Sequence, residues 1–178
     1  MGDSSNGLEE KTQKAKKYFE KGDYQAASGL FEALVLDYDH LGDQLNSAEN
    51  KNNCSVSSLK ANMPQKAFDI VDGTDQIFAA HGDKKRQAMA LGNRAAALEA
   101  LGKTDQALSD YQKASLLLKE INDQELRPYI LKSMAALEIR KGDYLQSLAT
   151  TKASIEGSKK LSFREKILQK LLGVIFKN

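Results

Sequence analysis

The side chains able to do chemistry are few, and their spacing does not assemble a reaction centre. His40 and His81 stand 41 residues apart, each within two residues of a Gly-Asp pair, Gly42-Asp43 and Gly82-Asp83. At such helix ends a histidine more readily serves the helix dipole than acid–base catalysis. Their separation also argues against a shared metal. The single cysteine, Cys54, excludes an internal disulfide and a cysteine-built zinc cluster, is compatible with a reducing compartment, and has no histidine near it in sequence. Asn53-Cys54-Ser55 fits a glycosylation acceptor, but nothing in the sequence indicates secretion. Gly82 and Gly92 occur singly, so no glycine-rich phosphate cradle is formed, and Met1-Gly2 is followed by Asn6 where a myristoylation signal needs Ser or Thr. The expectation is a protein without catalytic residues, metal or cofactor.

The elements that position these residues are helices. The chain has 178 residues, 41% of them hydrophobic, with two prolines and no tryptophan. That suits one helical domain with a core. The net charge is +2, too small for a dedicated nucleic-acid binder, and the basic residues are interleaved with acids. Residues 1–89 carry 11 basic and 14 acidic side chains, and residues 90–178 carry 15 and 10, so the halves differ in sign. No apolar segment reads as a signal peptide or membrane span. A soluble, intracellular, cytoplasmic protein is expected, or a chloroplast one if a transit peptide has been removed.

A forty-residue period organises the chain. Gly22-Asp23-Tyr24 recurs as Gly102-Lys103-Thr104 and Gly142-Asp143-Tyr144, with Asn62-Met63-Pro64 in the remaining place. Five residues after each first position come Ala27, Ala67, Ala107 and Ser147; nine after come Phe31, Val71, Tyr111 and Thr151. A second ladder, Leu41-Gly42-Asp43, His81-Gly82-Asp83 and Ile121-Asn122-Asp123, keeps the same register. Each unit reads as two helices: residues 88–101 are strong helix formers ended by Gly102, and residues 105–120 carry one apolar stripe through Ala107, Tyr111, Ala114 and Leu118. One such hairpin cannot bury its apolar face, so the units must stack into a right-handed α-solenoid.

This pattern resembles the tetratricopeptide repeat (TPR), in the long variant found in kinesin light chains and related adaptors. The family's small residue of the first helix falls on Ala15, Ala95 and Ala135, and its Ala and aromatic of the second helix on Ala27/Phe31 and Ala107/Tyr111. The run Ala-Leu-Glu-Ala-Leu-Gly ending at Gly102 is also similar to plastid and cyanobacterial assembly proteins of this type. Residues 6–161 divide into four repeats, about 6–44, 45–84, 85–124 and 125–161, followed by a capping helix over 162–176. Repeat four departs at Ser147, Thr151 and Ser154, which predicts altered packing. Repeat two departs most. Its Asn/Ser-rich stretch 46–58 predicts a weak, partly mobile helix or a loop.

The resemblance implies a scaffold or adaptor binding another protein, as a monomer, in a concave groove lined by the first helix of each hairpin. Assembly factors and co-chaperone-like adaptors are the roles such folds serve. Helical spacing turns Lys16, Asn52, Val56, Met89, Asn93, Ala96, Tyr129, Lys132, Ser133 and Arg140 toward that groove. The occupant is a peptide or helix, with Asn93 bonding backbone and Lys132 and Arg140 pairing with acidic side chains. The family's clamp for the acidic tails of heat-shock chaperones is not reproduced. Its last lysine and arginine land on Tyr129 and Ser133. An alternative interaction comes from the C-terminus, where Lys159, Lys160, Arg164, Lys166, Lys170 and Lys177 surround the amphipathic stretch 163–176, a pattern able to dock on a membrane surface or a partner.

Overall fold

A computed structural model describes residues 2–176. Among them the chain forms α1 (Gly2–Glu20), α2 (Tyr24–His40), α3 (Gln44–Lys60), α4 (Pro64–Val71), α5 (Thr74–Ala80), α6 (Lys84–Ala100), α7 (Thr104–Glu120), α8 (Leu126–Lys141), α9 (Tyr144–Glu156) and α10 (Phe163–Ile175). Helices pack on their successors except across α4 and α5, which instead both pack on α3 and α6, and α3 also meets α6 directly. The result is the helical solenoid of stacked hairpins.

The two sequence ladders become one structural rhythm of twenty residues. Gly22, Gly42, Gly82, Gly102 and Gly142 all hold positive φ, and Asn62 and Asn122 fill the same place at φ 59° and 53°. A left-handed residue past a helix end lets the next amide reach back over the last turn. Asp23 N donates to the Tyr18 carbonyl at 3.0 Å, Asp83 N to Phe78 at 2.9 Å and Asp143 N to Glu138 at 2.9 Å. Most of the joint aspartates then bond the start of the following helix: Asp43 Oδ1 accepts from Asn46 N at 3.1 Å and Asp123 Oδ1 from Leu126 N at 2.7 Å, whereas Asp143 makes no such bond. Each joint is a helix stop and a helix start within two to five residues.

Small residues set the close approach between helices. Ala15, Ala27, Ala67, Ala95 and Ala107 are fully buried, and Phe31, Tyr111 and Leu118 fill the spaces between pairs. One apolar cluster joins Leu91, Leu98, Tyr111, Leu118, Ile130 and Leu137; another joins Phe31, Leu34 and Cys54. The core therefore runs along the solenoid as linked segments rather than as one centre.

In repeat two the stretch 46–58, for which a weak helix or a loop is expected, is helix. α3 is continuous through 17 residues, with Ser47, Ser55, Ser57 and Ser58 buried. Serine is nearly as small as alanine, so it permits the same close packing once its hydroxyl has a partner. Ser57 Oγ donates to the Asn53 carbonyl and Ser55 Oγ to the Ala67 carbonyl, both at 2.8 Å, while Ser58 Oγ meets Ser28 Oγ at 2.8 Å. Tertiary contacts override the weak propensity. The break lies instead in the second helix of this repeat, where extended Asp72 and left-handed Gly73 (φ 80°) separate α4 from α5.

In repeat four, Ser147 and Ser154 are buried, and Ser154 Oγ donates to the Pro128 carbonyl at 3.0 Å. Beside them Glu138 is only 2% exposed. It accepts from Thr150 Oγ1 at 3.2 Å, and burial raises its carboxyl above the ordinary range. After α9 the chain turns into α10, where Ser162 and Glu165 form a reciprocal capping box. The cap over the solenoid end is partial: α10 buries Leu172 and leaves Phe163, Ile167, Leu171, Val174 and Ile175 exposed.

Candidate functional site: a groove along the first helices

Two adjoining cavities run between α6, α7 and α8. The larger, about 750 Å³, is lined by residues including Ala96, Glu99, Tyr111, Ser133, Ala136 and Arg140. The smaller, about 160 Å³, is lined by residues including Met89, Gly92, Asn93, Tyr129 and Ile130. Ala96, Tyr111 and Ser133 border both, so the two lie side by side along one channel-like groove. Its width follows from small side chains on α6. A Cβ on Gly92 would stand 2.7 Å from Ile130 Cδ1.

Of the residues assigned to a groove from the sequence, Met89, Asn93, Tyr129 and Ser133 come together at the smaller cavity, and Arg140 lies at the larger. Asn52 is buried beneath them, 6% exposed, and accepts from Asn93 Nδ2 at 3.3 Å. Lys16 and Val56 line a separate cavity of about 250 Å³ between α1 and α3, with Phe19, Phe31 and Asn53. Lys132 Nζ pairs with Glu165 of α10 at 2.6 Å, drawing its carboxyl down to about 2. Lys132 therefore links α8 to α10, which packs on α9.

The channel is electrostatically self-matched. Arg140 pairs with Glu99, Tyr111 Oη donates to the other Glu99 oxygen at 3.1 Å, and Lys141 pairs with Asp105 at 2.9 Å. Burial and the neighbouring Glu99 carboxylate hold the Tyr111 phenol protonated far above its ordinary range. Sequence reasoning did not find Glu99 or the Tyr111 hydroxyl as groove groups. The available signal was the offset of 41 residues from Glu99 to Arg140, which equals that from Asn52 to Asn93.

A second charged cluster lies on the opposite side of α6. Arg94 bonds Asp110 at 2.7 Å, Asp72 at 3.0 Å and Asp75 at 3.1 Å, so one guanidinium spans the α4–α5 break and α7. Its partners raise its pKa further, leaving it a permanent cation.

The histidines and Cys54 stay apart from these sites. Exposed His81, the residue that ends α5, donates from Nδ1 to the Ile77 carbonyl at 2.9 Å. Cys54 is fully buried, which pushes its thiol up, and its Sγ donates to the Ser28 carbonyl at 3.4 Å. No group of three or more His, Cys, Asp or Glu able to hold a metal occurs among the described residues.

Fold and groove define a TPR-like helical repeat scaffold. Similar solved structures share that architecture. The nearly identical TPR-like repeats of a candidate kinesin light chain from Podosopora anserina superpose with a TM-score of 0.77 at 13% identity, over 98% of this chain and 88% of that one. BtubC (BKLC) from P. vanneervenii gives 0.74 at 13% identity, over 97% and 81%. At this identity the likeness is one of fold. The chain belongs to the soluble NSF attachment protein (SNAP) family, whose sequence pattern matches residues 4–171. No curated protein sequence matches the chain.

Proposed function

We propose that this protein is a non-catalytic adaptor that takes an extended or helical segment of another protein into the α6–α7–α8 channel. The observation that carries this reading is that Ala96, Tyr111 and Ser133 line both cavities. Tyr129 and Met89 offer apolar surface at one end, Asn93 and Ser133 offer hydrogen bonds in the middle, and Glu99 and Arg140 form a polar end. An acidic side chain of the partner would bind by exchanging with Glu99 for the Arg140 guanidinium, so the local ion pair sets a threshold that selects for a well-placed carboxylate.

Membership in a family named for attachment to NSF makes NSF the first partner to test. The experiment is a pull-down and titration comparing the natural chain with Ala96→Arg, which fills the channel, and Arg140→Glu. With circular dichroism unchanged, A96R abolishes binding, and R140E weakens an acidic partner about tenfold or more. Binding that survives A96R at full strength places the partner elsewhere and refutes the channel as its site.

A further inference from the structure

α10 has two opposed faces. Toward the body, Leu172 is 2% exposed, Glu165 is held by Lys132, and the Lys152 ammonium stands over the Phe176 ring at 4.8 Å. The opposite row, Phe163, Ile167, Leu171, Val174 and Ile175, faces solvent, with Phe163 77% and Val174 72% exposed. Helical spacing places Lys166 and Lys170 along one border of this row and Arg164 on the other, while Lys159 and Lys160 lead into the helix. Among the described residues, none of these five cations has an acidic side chain within ion-pair distance; the one acid of the helix, Glu165, is taken by Lys132.

We propose that α10 is a peripheral anchor that lays its exposed row on an anionic lipid surface. An apolar ridge bordered by unpaired cations is the arrangement that enters the headgroup layer: the apolar side chains sink to the acyl boundary, and the lysines reach outward to phosphates and carboxylates. No helix among the described residues is long and apolar enough to cross a membrane, so α10 lies in the plane of the surface. Leu172 and the Lys132–Glu165 pair fix its rotation, which keeps the ridge pointing away from α8 and α9. A second copy of the chain is a poorer occupant, because two such ridges bring five cations against five. This surface is independent of the channel.

The test is flotation of the purified chain with phosphatidylserine-rich vesicles and with pure phosphatidylcholine vesicles. The chain is expected to float with the first at low salt, to be released as salt rises, and to ignore the second. Lys166→Gln with Lys170→Gln lowers partitioning about thirtyfold, taking each charge as about 1 kcal/mol near such a surface. Phe163→Ser with Val174→Ser lowers it by at least about tenfold. All four positions are exposed, so circular dichroism should show unchanged helix content. Absence of flotation with the anionic vesicles, or flotation indifferent to both pairs, overturns the proposal. So does a result in which the chain dimerises, or binds polyglutamate in preference to vesicles, and Phe163→Ser with Val174→Ser abolishes that contact instead.

Discussion

Asn93 of α6 donates to buried Asn52 of α3 across 41 positions, and one hairpin later Arg140 of α8 meets Glu99 of α6 at the same offset. The first helices are thus tied by polar rungs at one period plus one residue, on the face that carries the channel. The rungs fix the spacing of the helices that a ligand must enter between.

Asn93→Ala removes a partner from a buried amide and should cost about 1–2 kcal/mol, read as a lower urea midpoint with unchanged slope. Asn52→Ala with Asn93→Ala should cost less than the sum of the singles, with a coupling of about 1 kcal/mol. Strict additivity would mean the rung contributes nothing.

Arg94→Met takes from Asp72, Asp75 and Asp110 the cation they share, leaving buried Asp110 only the longer contact to Lys113 at 3.6 Å. The expected loss is about 3 kcal/mol. Hydrogen exchange should rise first in α5, the short helix beyond the break. Protection unchanged in α5 would show that Arg94 does not hold that joint.

Gly92 tests how closely α6 and α8 must approach. Gly92→Ala meets only the far end of the Ile130 side chain, so the helix-propensity gain of about 1 kcal/mol should offset the rearrangement. Gly92→Val cannot be absorbed that way and should cost about 2 kcal/mol while narrowing the channel. Thermal melts and partner titration separate the two effects.

Glu138 should impose a pH dependence. Burial raises its folded-state carboxyl above the ordinary value of 4.5, so the native state binds that proton more tightly than the unfolded chain. Its contribution is fully present below 4.5 and is lost as pH rises through the raised value. Glu138→Gln should abolish this fall and melt higher than the natural chain at neutral pH. Melts from about pH 4 to about pH 8 check the crossing of the two curves.

The hairpin rhythm was legible because a left-handed Gly or Asn followed by Asp is local chemistry, visible wherever it occurs. For α3 propensity leaves a weak helix and a loop open, because it treats its serines as solvated; in the fold Ser55 and Ser57 bond backbone carbonyls and Ser58 bonds Ser28, which settles the helix. The α4–α5 break carries a sequence signal, Asp72-Gly73-Thr74, that falls outside the two ladders. In the channel, Met89, Asn93, Tyr129 and Ser133 follow from helical spacing. The retirement of Lys132 to α10 and of Asn52 beneath Asn93 does not, because both depend on partners far along the chain.

The twenty-residue joints bear on how the chain is made. Each closes with backbone bonds reaching back no more than five residues, and each supplies the start of the next helix. A hairpin emerging from the ribosome therefore holds both of its ends before its neighbour has been synthesised, and contacts of low sequence separation favour rapid ordering. Synthesis and folding can proceed in the same direction and at the same pace, with each finished hairpin a template on which the next is laid.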